Sequence, residues 1–194
     1  LNGGSDQIVD ALAIGPSGSI AFVGSLEGSA DLDGECPPND PCPRSSAGEN
    51  DAFVAMLASD GKPLWSLRFG DMKEQSAAGV AMDDKDNTTV IGSFKGTIKP
   101  GSDLLSSADE STYDMFIARF DPSGNHQASR NFGDGKDQYA QDMVLDNAGN
   151  AIVVGYYQGA PDFSTPPNTN CALPSANGAF DIFVVKLGPD LSCL

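Results

Sequence analysis

The chain has 194 residues, and its 11 basic against 27 acidic side chains leave a net charge of −16, which repels phosphate backbones and anionic lipid and so argues against nucleic-acid binding and membrane insertion. Its length suits one domain, 1–194, with enough chain to bury a sizeable core. Twenty-two Gly, 13 Pro, 20% charged residues and no apolar run approaching the roughly 18 residues of a bilayer span predict many short strands and turns rather than long helices or disorder.

In chain order, Ile8 to Ile14 reads as a strand, Gly15-Pro16-Ser17-Gly18 as a hairpin turn, and Ile20 to Leu26 as a second strand. A long polar connection follows, then a third strand from Phe53 to Leu57 and a fourth from Leu64 to Phe69. The order then repeats. Residues 6–28 (DQIVDALAIGPSGSIAFVGSLEG) align without gaps with 74–96 (EQSAAGVAMDDKDNTTVIGSFKG) and 137–159 (DQYAQDMVLDNAGNAIVVGYYQG). A second block from Asp51 (DAFVAMLASDGKPLWSLRFG) aligns with blocks from Asp114 and Asp181. The chain is therefore three repeats, at 1–69, 70–132 and 133–194, and the third stops before the counterparts of Trp65 to Phe69.

Four antiparallel strands per repeat, arranged radially, predict an all-β, propeller-type fold of three four-stranded blades with the last one incomplete. Closed propellers use four blades or more, so the three are expected to belong to a larger ring: further blades of the same chain, another chain, or two copies together. The residues that carry the repeat are Asp146, Gly149, Asn150, Gly155 and Gly159, then Asp181, Phe183, Val184, Lys186 and Leu187, with Trp65 and Gly70 from the first repeat. This pattern resembles the SBBP-type repeat of bacterial secreted and cell-surface β-propeller proteins over essentially the whole chain. The resemblance implies the propeller fold and an extracellular or cell-surface location, and little about activity. Ala128 stands where the repeat has Trp, a departure in the second blade.

Four cysteines in Pro- and Asn-rich stretches, beside a single histidine, favour disulfides over zinc. The expected pairs are Cys36–Cys42 and Cys171–Cys193, with a crossed pairing as the alternative. The start at Leu1 reads as a processed product.

Candidate site residues come from the repeat junctions and the variable segments 29–50, 97–113 and 160–180, which share one face of a propeller. Asp6, Glu74 and Asp137 precede the first strand of each repeat, where they could form a carboxylate ring for a ligand or simply brace the strand entry; the recurrence favours bracing. Tyr113 and Phe163 are the loop-face binding candidates, with Tyr156 and Tyr157 as further stacking residues of which at least one is expected to pack. Calcium is the one cofactor the residues offer, through Asp31, Asp33 and Glu35, whereas the acidic run at Asp83 to Asn87 is explained by its hairpin turn. His126 has no nucleophile or fixed acid beside it in sequence. The reading is a non-catalytic binding or structural module with a protein partner, further blades or a surface glycan as its ligand. A carbohydrate hydrolase or lyase using loop-face carboxylates is the alternative.

Overall fold

The computed structural model describes residues 5–32, 44–165 and 170–194 and is all-β, with three blade-like antiparallel sheets in sequence. The first blade begins with β1 (Gln7–Ile14) and β2 (Ile20–Leu26), followed by the two-residue strands β3 (Ser29–Ala30) and β4 (Arg44–Ser45) of the long connection. It is completed by β5 (Asp51–Leu57) and β6 (Pro63–Phe69) in the order β1-β2-β5-β6. The second repeats this with β7 (Gln75–Met82), β8 (Thr88–Phe94), the short β9 (Thr97–Ile98) and β10 (Leu105–Ser106), β11 (Asp114–Phe120) and β12 (His126–Phe132). The third has three strands, β13 (Gln138–Leu145), β14 (Ala151–Tyr157) and β15 (Asp181–Leu187). In place of a fourth strand it has one bridge between Leu187 and Cys193, and the Leu194 N–H bonds the Lys186 carbonyl.

Recurring residues have recurring causes. Asp83, Asp121 and Asp146 each accept the N–H groups two and four residues on and the side-chain amide of the Asn four on, which closes the tight turn that joins two strands. Every first strand carries a bulge at the same place, at Val9/Ala11, Ala77/Gly79 and Ala140/Asp142. Opposite it lies a glycine: a Cβ on Gly24, Gly92 or Gly155 would sit 1.9, 2.1 or 2.0 Å from the backbone oxygen of Ile8, Ser76 or Tyr139. The bulge presses the first strand so close that only Gly fits in the second.

The core is the stacking of blades. Ala52, Val54 and Val23 of the first blade meet Ala77, Val80 and Phe116 of the second in one cluster. Met115, Ile117 and Ile91 of the second meet Ala140, Met143 and Phe183 of the third in another. Trp65 spans the first interface, its Nε1 donating to the Pro122 carbonyl at 3.0 Å while its ring lies 6.1 Å from that of Phe120. A third cluster, with Phe53, Leu26 and Leu32, lies on the side of the first blade away from the second.

Cys171 and Cys193 are joined by a disulfide that ties the connection before β15 to the segment after it. Cys36 and Cys42 lie outside the described residues.

Candidate functional site

Because first and second strands pair end to end (Gln7 opposite Leu26, Gln75 opposite Phe94, Gln138 opposite Tyr157), the start of each first strand and the long second-to-third connection share one end of the blade. At that end the repeated Gln is a brace. Gln75 Nε2 donates to Asp71 Oδ1 at 2.8 Å and to the Lys95 carbonyl at 3.1 Å, and Gln138 makes the same two bonds to Asp134 and the Gln158 carbonyl. The second oxygen of Asp71 or Asp134 takes the N–H that opens the long connection, at Thr97 or Ala160.

The acids that precede these glutamines differ in use. Glu74 is paired with Lys95 at 2.8 Å and accepts the Tyr113 hydroxyl, contacts that hold its carboxyl below the ordinary range. The Lys95 ammonium also stands 4.3 Å over the Tyr113 ring. Asp137 accepts the Tyr113 N–H at 3.0 Å, so the second connection is anchored to the start of the third blade. Asp6 is exposed on the first blade and joins neither group. Two of the three junction acids thus converge on Tyr113, and no three-membered carboxylate ring forms.

Around Tyr113 the structure assembles an aromatic platform. The ring centroids of Tyr113 and Tyr139 are 4.8 Å apart, those of Tyr139 and Tyr156 4.9 Å, and those of Tyr156 and Phe180 5.2 Å. Burial, then the bond to Glu74, raises the Tyr113 phenol far above its ordinary value, and burial with the Asp137 charge raises Tyr139 to about 12. Both are therefore neutral hydroxyls at any physiological pH. Beside the platform a hollow of about 230 Å³ is lined by Asp10, Ser76, Ser93, Tyr113, Tyr139 and Gln141. Hydroxyl, amide and carboxylate groups at its wall and π faces at its rim suit a polar ligand with flat apolar patches.

Phe163, expected on the loop face, is instead fully buried between the rings of Phe132 (5.0 Å) and Phe183 (5.2 Å). An aromatic ring in a variable connection gains more from that core than from solvent. Tyr157 also packs, with its hydroxyl bonded to the Pro174 carbonyl at 3.0 Å, while Tyr156 joins the platform. Tyr139 and Phe180 escape a reading by composition. The signal for Phe180 is in the alignment, since it takes the same repeat position as Tyr113, the residue before the third strand.

Of the calcium candidates, Asp31 is partly buried, and Asp33 and Glu35 lie outside the described residues. Among the described residues no three His, Cys, Asp or Glu side chains converge on a cation position. His126 packs against Gly101 and the ring of Phe120, 6.1 Å away, at the opposite end of its blade. At that end a larger cleft of about 670 Å³ runs between the second and third blades past Asp83, Arg119 and Asp146. Three of its polar side chains are engaged, although Arg119 Nε is buried without a partner. Asp83 and Asp146 close their turns, and Arg119 donates to the Gly149 carbonyl at 2.6 Å.

No family model and no curated protein matches this chain. Among solved structures it is similar to a protein of unknown function from Bacteroides caccae, at 12% identity and a TM-score of 0.46, over 96% of this chain. The chain spans 59% of the length of that protein. No helix of the described residues is long and apolar enough to cross a membrane.

Proposed function

We propose that this chain is a non-catalytic, extracellular binding module of a bacterial secreted or cell-surface assembly, and that it holds a surface glycan on the platform of Tyr113, Tyr139, Tyr156 and Phe180. The observation that carries the reading is the convergence of four aromatic rings from two blades at the loop end, next to a hollow lined by hydroxyl, amide and carboxylate groups. Pyranose rings present flat C–H faces that stack on aromatic rings, and their hydroxyls bond to carboxylates and amides. The disulfide between Cys171 and Cys193 supports an oxidising compartment.

Affinity electrophoresis through gels containing soluble polysaccharides tests the reading. Migration should be retarded by at least one polysaccharide, and Phe180→Ala with Tyr156→Ala should remove the retardation. Phe180 is 44% exposed, so its loss leaves the core intact. Equal migration in every gel would overturn glycan binding, and release of reducing ends from the retarding polysaccharide would establish the hydrolase instead.

A further inference from the structure

The first strands of the three blades lie side by side, β1 against β7 and β7 against β13, and each carries its bulge at the same place. The residue left unpaired in each bulge is Asp10, Ala78 or Gln141, and these three are repeat equivalents. A bulge re-aims a side chain out of the alternation of its strand. All three of these residues line the hollow of about 230 Å³ beside the aromatic platform. The repeat thus builds one position three times, and the sequence fills it with a carboxylate, a methyl group and an amide.

The charge of the hollow is one-sided. Among the described residues that line it, Asp10 is the only charged group, and no Lys, Arg or His is present. Its carboxylate makes no ion pair or hydrogen bond with a described residue, and partial burial raises its pKa with no contact to offset the rise. Glu74 and Asp137 stand behind Tyr113, and their charges raise the neighbouring Tyr139 phenol, so the negative field reaches the platform. Uronic acids, sulfated sugars and other anions are repelled from such a site on a chain of net charge −16.

The chain itself shows what such a setting holds. Lys95 Nζ lies 2.8 Å from Glu74 and 4.3 Å over the Tyr113 ring, a cation shared between a carboxylate and a π face. Asp10, Tyr113 and Tyr139 at the hollow supply the carboxylate and the rings without the cation. An ammonium has N–H donors and no acceptor, and the Ser76 hydroxyl and the Gln141 side-chain carbonyl add acceptors to the carboxylate. The hollow is smaller than the roughly 300 Å³ at which small-molecule pockets begin, so it suits one substituent of a larger ligand whose rings lie on the platform.

We propose that the hollow takes the protonated amine of an amino sugar, held by Asp10 and by the faces of Tyr113 and Tyr139, so that the glycan recognised is one with free amino groups. The inference rests on the reading of the platform as a glycan site. A lysine side chain carries the same ammonium, but it brings no flat ring to lie on the four aromatic rings that adjoin the hollow.

Isothermal titration calorimetry at about pH 6, where a sugar amine carries its proton, and at about 0.15 M salt tests the proposal. Chitosan oligosaccharides, their N-acetylated forms and cello-oligosaccharides share a linkage and differ at one ring position, which bears an ammonium, an acetamide or a hydroxyl. The wild type should bind the first at least about tenfold tighter than the other two. Asp10→Asn, at an exposed position, should keep the circular dichroism of the wild type and bring the three affinities within about threefold of one another. Asp84→Asn removes one charge from the exposed turn at the opposite end of the second blade and should keep the preference. Equal affinity of the wild type for all three overturns the amine and leaves glycan binding standing. So does a preference that survives Asp10→Asn, which would come from the net charge of the chain. Failure to bind any of the three overturns the amine alone if a polysaccharide gel still retards the protein, and the glycan reading with it if none does. A lysine tripeptide that binds as tightly and loses as much in Asp10→Asn would overturn the amino sugar in favour of a protein's lysine.

Discussion

Asp114 opens the third strand of the second blade and is 1% exposed, yet no cation meets it. One carboxylate oxygen takes the Ala108 N–H at 3.1 Å and the Asn131 amide at 3.3 Å, while Oδ1 is buried without a partner. In the first blade the same position, Asp51, is paired with Arg68, whose equivalent in the second blade is Asn131. Burial therefore raises Asp114 from 3.8 to about 6, with the Asp134 charge adding to the shift. A carboxyl whose folded pKa lies above its unfolded value contributes stability that is full below the unfolded value, near pH 4, and lost as pH rises through about 6. Two pK units correspond to about 3 kcal/mol. Asp114→Asn keeps an acceptor for Ala108 and cannot ionise, so its stability relative to wild type should rise by about 2 to 3 kcal/mol between pH 4 and pH 7. Asn131→Arg should act in the same direction but less, since burial keeps Asp51 raised even beside Arg68. Urea unfolding followed by circular dichroism at pH 4, 5, 6 and 7 measures the difference, and the other carboxylates cancel in it. Parallel profiles for wild type and Asp114→Asn would show that Asp114 is already ionised and solvated, and would refute the argument.

The remaining predictions concern the frame and the platform. Replacing Cys171 and Cys193 by Ser opens a loop of sequence separation 22 and should cost about 3 kcal/mol in chemical denaturation, with little change in the native circular dichroism. Gly92→Ala sets a Cβ at 2.1 Å from the Ser76 carbonyl oxygen and 2.5 Å from the Phe116 ring, so it should destabilise by more than about 2 kcal/mol. Thermal melting that matches wild type would show that the bulge yields. In a spectrophotometric titration Tyr113 and Tyr139 should stay protonated through pH 11, since burial raises Tyr139 to about 12 and Tyr113 higher still. A full complement of four phenolates below pH 11 would mean that the platform is open to water.

Strand limits, turn positions and the incomplete third blade were legible in the chain itself because each rests on local chemistry that recurs. A Gly opposite a bulge needs the same neighbours in every copy, so three copies announce it three times, and the Asp that accepts from the residues two and four along recurs at the first hairpin of the second and third repeats. The junction acids Glu74 and Asp137 stood out by the same logic. What they do differs between copies, because their partners come from elsewhere: Glu74 meets Lys95 and Tyr113, Asp137 meets the Tyr113 N–H, and Asp6 meets neither.

The platform and the open faces belong to the tertiary structure. Tyr113, Tyr139, Tyr156 and Phe180 lie up to 67 positions apart and occupy three different places in the repeat, so periodicity joins only Tyr113 and Phe180. They meet because the second and third blades stack at one end. Phe163 shows the converse: an aromatic in a loop reads as exposed until the fold offers it the space between Phe132 and Phe183. Ile182 and Val184 take the repeat positions that are buried as Ala52 and Val54 in the first blade and Met115 and Ile117 in the second, and only the structure shows them 85% and 66% exposed. Local bonds repeat with the sequence, but burial is decided by what lies across the interface, and that is a property of the assembled blades.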